Sequence, residues 1–143
     1  MINTFSTTKR VTIGASPTRV WEALTRPDIV KQYMFGTEVV SNWQKGGSLI
    51  YKGHWDGQPF EDKGTILEIE PGKLLKASYY SALSGLEDTP ENYNTVTYEL
   101  VSEGDGQTTL VVTQDNNPTQ AAADQAGENW EMTLGQIKQL LER

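Results

Sequence analysis

The chain has 143 residues, of which 36% are hydrophobic and 22% charged, a composition that fits one folded, soluble domain over residues 1–143 and excludes a disordered or membrane-spanning class. Its formal net charge is -7 and its 12 Lys and Arg are scattered, so no phosphate-tracking stripe exists and nucleic acid is not an expected partner. The absence of cysteine removes disulfides, thiol nucleophiles and thiolate metal sites, and the opening MINTFSTTKR lacks the apolar core of a secretion signal, so a cytoplasmic location is expected.

KRVTIGAS alternates Val11 and Ile13 with polar neighbours and predicts a first strand. Ser16 followed by Pro17 is a helix start: serine can cap free N–H groups, and proline lacks a donor that would be orphaned there. Val20, Trp21 and Leu24 give that helix a buried side, and Pro27 interrupts it and starts a second short helix carrying Ile29, Val30 and Tyr33.

From Thr37 the period changes to two. Strands are expected near Thr37 to Ser41, Ser48 to Trp55, Glu61 to Glu70 and Lys73 to Tyr80, then Thr95 to Ser102 and Gln107 to Asn116. Gly46-Gly47, Asp56-Gly57, Pro71-Gly72 and the GDG at Gly104 to Gly106 are turn signals, which makes the connections antiparallel hairpins. Ser81 to Asn94 is a longer connection with little strand pattern, a candidate lid.

A helix from about Thr119 to Glu142 closes the chain. Trp130, Leu134, Ile137 and Leu141 form an apolar stripe, with Ala126 one turn earlier and Leu140 on its flank. The order of elements predicts an α+β fold, a curved antiparallel sheet gripping this helix on its concave side.

Alternation places Leu49 with Tyr51, Leu75 with Ala77 and Tyr79, and Val96 with Tyr98 and Leu100, each set on one face of its strand. If these faces meet Trp130, they enclose an aromatic-rich cavity suited to flat rings, with tyrosine hydroxyls to orient a polar substituent. Burying about 250 Å² of apolar ligand at about 25 cal/mol per Å² supplies about 6 kcal/mol, an affinity in the tens of micromolar before ordering costs.

No catalytic constellation emerges. His54 is the only histidine and sits in GHWDGQP at a hairpin end, where it reads as an exposed turn residue. Glu61 and Asp62 point to opposite faces of a strand, which argues against a shared acid-base pair, and Glu99 turns away from Tyr98 toward solvent. No metal or cofactor is expected.

The order and spacing of several short segments resemble the START/SRPBCC (birch-pollen-allergen-like) superfamily and, within it, the heat-shock-protein-90 ATPase activator homologue-like family. They are SPTRVWEALTRPDIVKQYM with its VW-x-ALT-x-P core, the glycine pair at Gly46 and Gly47, and G-x-I-L-E-I-E-P from Gly64 to Pro71. TYEL from Thr97 to Leu100 and the closing W-x3-L-x2-I-K-x2-L complete the match.

The resemblance implies a helix-grip fold with a cavity between the long helix and the sheet. The family's usual tryptophan near the end of the second helix is Tyr33 here, within KQYMFG. The expected ligand-binding set is therefore Tyr33, Leu49, Tyr51, Tyr79, Tyr98, Trp130 and Leu134, and the expected partner a small hydrophobic molecule, with no membrane. Two other functions follow from the resemblance: a cyclase- or aromatase-like enzyme using the same cavity, for which Gln114 or a tyrosine hydroxyl would supply polarity, and a stress-related adaptor binding a chaperone. The eukaryotic co-chaperones of the group carry a separate N-terminal domain, for which 143 residues leave no room.

Overall fold

The computed structural model describes residues 5–81 and 83–143; residues 1–4, at the head of the N-terminal segment, and 82, in the long connection, lie outside the described residues. Strand β1 (Phe5–Ile13) reaches further back than the Val11/Ile13 alternation alone predicts. Its extension is threonine-rich, and Thr8 and Thr12 meet Thr113 and Thr109 side chain to side chain at 3.1 and 2.9 Å on the neighbouring strand. Helix α1 (Pro17–Thr25) follows, with the Ser16 hydroxyl accepting from the Arg19 amide, and buries Val20, Ala23 and Leu24. Arg26 links it to α2 (Pro27–Tyr33), which buries Val30 and Tyr33.

Six strands then run in sequence: β2 (Glu38–Ser41), β3 (Ser48–Trp55), β4 (Gln58–Glu70), β5 (Leu74–Tyr79), β6 (Asn94–Gly104) and β7 (Gln107–Asn117). All pair antiparallel in one sheet of order β1-β7-β6-β5-β4-β3-β2, so the two short helices carry the chain from one edge to the other. At the β3–β4 hairpin both Asp56 (φ 51°) and Gly57 (φ 78°) are left-handed, the geometry a two-residue turn needs to match strand twist.

The thirteen residues of β4 serve two partners. Their first part pairs with β3 as far as Thr65 and their last part with β5 from Ile66, with a register shift before Glu68. Gly64 lies at the changeover, against the Ser78 carbonyl, where a side chain has no room. The sheet curves here.

Helix α3 (Gln120–Leu141) is capped by Thr119, whose hydroxyl accepts from the Ala122 amide at 3.0 Å. It packs chiefly on β1 and β7. Gly127 makes this possible, because a Cβ there would meet Thr7 Oγ1 at 2.7 Å and Lys9 Cε at 3.0 Å. The architecture is α+β, a curved antiparallel sheet around a long C-terminal helix with two short helices after the first strand, the helix-grip arrangement.

The second glycine of α3 is different in kind. A Cβ on Gly135 meets nothing within 4 Å, so Gly135→Ala gains helix propensity without a clash. It should stabilise the protein by about 1 kcal/mol, seen as a rise of about 3 °C in the thermal midpoint by circular dichroism. An unchanged or lower midpoint would show that this glycine serves packing after all.

Candidate functional site

Because α3 rests on β1 and β7, the other half of the sheet stands away from it, and a cavity of about 310 Å³ lies in the gap. Strand alternation decides its walls. Leu49 and Tyr51 come from β3, Phe60 and Asp62 from β4, Ala77 and Tyr79 from β5, and Val96 and Tyr98 from β6. Gln114 of β7 closes one side, while Leu24, Tyr33, Met34 and Thr37 close the end nearest α1 and α2. Helix α3 supplies Ala126, Asn129, Trp130, Thr133 and Ile137.

Six of the seven side chains expected from sequence therefore line one space: Tyr33, Leu49, Tyr51, Tyr79, Tyr98 and Trp130. Leu134 does not. It is buried at 2% exposure, but it shares the face of Gly127, seven residues earlier, and that face is the one pressed on β1. The single stripe read from spacing is two adjoining ones. Ala126, Trp130, Thr133 and Ile137 look into the cavity, and Ala123, Gly127, Leu134 and Leu141 look onto the sheet edge.

Several polar groups at the wall are held by hydrogen bonds within the protein. The Tyr33 hydroxyl donates to the Ala23 carbonyl at 2.7 Å, fastening α2 to α1. Trp130 donates its indole N–H to Gln114 Oε1 at 2.9 Å and stands edge-on to the Tyr98 ring, with centroids 5.7 Å apart at 84°. Gln114 in turn donates Nε2 to Asn117 Oδ1 at 2.8 Å, and Asn117, fully buried, donates to the Phe5 and Gln114 carbonyls. Gln114 thus orients Trp130.

Asp62 and Phe60 are among the wall residues that the expected set did not include. The expectation that Glu61 and Asp62 face opposite ways holds, with Glu61 exposed and Asp62 at 8% exposure on the cavity side. Its Oδ2 accepts a 2.5 Å hydrogen bond from the Tyr79 hydroxyl, and Tyr51 is its cross-strand partner. Counting back by twos from the core residue Ile66 through Gly64 reaches Asp62 and Phe60, so the signal was present in the alternation.

Burial holds the phenols protonated. Tyr51 is pushed up to about 12, first by desolvation, with Tyr98 opposing and the Asp62 charge adding to the rise. Tyr98 lies well above the ordinary phenol range, first through desolvation and then through Tyr51. Tyr33 and Tyr79 are raised as well, again mainly by desolvation, and for Tyr79 next by Asp62.

The remaining candidates are placed away from the cavity. His54 and Glu99 are exposed, as expected. The connection from Ser81 to Asn94 contributes no described residue to the lining and is tied down elsewhere. Tyr80 stacks on Tyr93 at 5.3 Å and donates to the Leu86 carbonyl, and Asp88 accepts from Tyr93 and pairs with Lys63. A short 3-10 turn, Pro90–Asn92, precedes β6. Among the described residues, no group of three or more His, Cys, Asp or Glu is arranged to hold a metal, and no helix is long and apolar enough to cross a membrane.

A sheet gripping one helix with a hollow between them defines the helix-grip class. Within that class the chain belongs to the Activator of Hsp90 ATPase homolog 1-like protein family, whose model matches residues 14–142. The solution structure of ChR145 from Cytophaga hutchinsonii is similar at 41% identity, covering 99% of this chain and 96% of that one, with a TM-score of 0.85. Two more distant structures share the fold. CalU16 from Micromonospora echinospora is 23% identical over 94% of this chain and 73% of its own, with a TM-score of 0.74. PFC0360w, an HSP90 activator from Plasmodium falciparum, is 19% identical over 96% of each chain, with a TM-score of 0.76. The chain matches no curated protein.

Proposed function

We propose that the protein binds a small, apolar, aromatic-ring compound in the cavity between α3 and the sheet. The observation that carries this reading is the wall itself. Tyr33, Tyr51, Phe60, Tyr79, Tyr98 and Trp130 surround a space of about 310 Å³, at the lower end of the range typical of small-molecule sites. Filling such a space with side chains would have stabilised the fold, since voids in a core are costly. Trp130 and Tyr98 are held in one orientation by Gln114 and by each other, so little ordering remains to oppose a guest.

Titration with a panel of aromatic and lipid compounds, followed by backbone amide shifts, tests the proposal. Aromatic compounds should move the resonances of Tyr51, Tyr98 and Trp130 with dissociation constants in the tens of micromolar. A panel that leaves all three unmoved refutes it. Recovering the bound compound unchanged would separate binding from a cyclase-like conversion.

A further inference from the structure

Four phenols, Tyr33, Tyr51, Tyr79 and Tyr98, line the cavity, and three of their protons are spent inside the protein. Tyr33 donates to the Ala23 carbonyl at 2.7 Å, and Tyr79 donates to Asp62. Tyr98 donates to the Tyr51 oxygen, since the hydrogen bond between them raises Tyr98 and lowers Tyr51. The fourth proton, on Tyr51, meets no acceptor among the described residues; Asp62, its cross-strand neighbour, acts on it through charge. Yet Tyr51 is buried, at 9% exposure, where an unmatched donor is costly. Its ring stands in the cavity wall, so the missing acceptor has to come from the cavity.

From this count we infer that the ligand carries a neutral hydrogen-bond acceptor, an aryl ketone or ring carbonyl, whose oxygen receives the Tyr51 hydroxyl while its ring lies toward Tyr98 and Trp130. The inference rests on the ligand-binding reading above and adds the chemical class of the ligand. An aromatic hydrocarbon displaces water from the hydroxyl and returns no acceptor, which costs affinity. A carboxylate does return one, but it brings a charge to a wall whose described residues include no Lys, Arg or His to offset its desolvation. A carbonyl supplies the acceptor without the charge. Donation from Tyr98 polarises the Tyr51 hydroxyl further and strengthens it as a donor.

The test is a matched series on the full chain by calorimetry: 2-acetylnaphthalene, 2-isopropylnaphthalene and 2-naphthoate. The ketone should bind at least about tenfold more tightly than the hydrocarbon, and the acid more weakly than the ketone. In the infrared, the carbonyl stretch of bound 2-acetylnaphthalene should lie below its frequency in an apolar solvent. Tyr51→Phe alone would free the Tyr98 proton to take over the carbonyl, so the decisive variant combines it with Tyr98→Phe. There the gap between ketone and hydrocarbon should close to within about twofold, and the stretch should return to its apolar-solvent frequency. If that variant fails to fold, the wild-type series and its stretch still decide. Equal binding of ketone and hydrocarbon, or an acid that binds best, overturns the neutral acceptor while leaving aromatic-ligand binding intact. A gap that persists in the folded double variant overturns the assignment to Tyr51. No binding of any of the three refutes the acceptor inference and the ligand-binding reading together.

Discussion

Raising the pH from 10 toward 12 should unfold the protein in one steep transition. Tyr33, Tyr51, Tyr79 and Tyr98, four of the six tyrosines, are held protonated in the folded state by burial, all raised above the ordinary phenol range and Tyr51 up to about 12. In the unfolded chain the same phenols ionise near 10. Between those limits the folded state binds more protons, so stability is fully present below pH 10 and falls as the pH rises toward the folded-state values. Each buried phenol contributes about 1.4 kcal/mol per pH unit, and four together about 5 kcal/mol per unit at full slope, comparable to the whole stability of a small domain. Far-ultraviolet circular dichroism and tyrosinate absorbance recorded against pH should change together for these four groups. Tyrosinate signal from all six side chains in a chain that keeps its native dichroism would show that the cavity wall ionises without unfolding.

Gly64→Ala is expected to be the most damaging single methyl in the sheet. The added carbon would overlap the Ser78 carbonyl, a backbone group locked between strands. On one side of Gly64 the Lys63 and Tyr80 backbones exchange hydrogen bonds of 3.0 and 2.7 Å, and on the other the Thr65 amide donates to Ser78 Oγ at 2.9 Å. A clash with the tip of a flexible side chain relaxes cheaply; a clash with a held backbone moves two strands. The loss should be about 3 kcal/mol, or roughly 10 °C in the thermal midpoint. Gly135→Ala provides the internal control, the same chemical change in open space with the opposite sign. A Gly64→Ala protein melting within a degree or so of the wild type would mean that β4 and β5 separate there at little cost.

Much of this fold was legible because its strands face two environments. Where one face is buried and the other wet, apolar residues alternate, and β3, with Leu49 and Tyr51 inward, and β7, with Leu110 and Val112 inward, fall where that alternation puts them. The beginning of β1 was not legible in the same way. Its first residues bury little, and their order comes from pairing with β7 rather than from an apolar face.

For the site, spacing gave the side chains but not how far the helix stands from the sheet. Leu134 and Ile137 look equivalent in sequence. Only the placement of α3 over β1 and β7 turns one toward packing and the other toward the cavity. Asp62 was missed for a related reason. A charged residue beside another in a strand reads as surface, although alternation back from Ile66 already sets Asp62 rather than Glu61 on the inward face, where it pairs with Tyr51.

The two ends of the chain complete each other. Strand β1 is made before its sheet partner β7 and its cover α3, with five strands and two helices between. The final turn is stapled back across this junction: Glu142 accepts from the Gly14 amide and from Lys138, Lys138 donates to the Thr12 carbonyl, and Arg19 donates to the Leu141 carbonyl. During synthesis β1 must therefore wait, unpaired, until β7 and α3 have left the ribosome. Its threonine-rich, sparsely apolar sequence is well suited to that delay, since an exposed strand of this composition offers little for a stray neighbour to stick to.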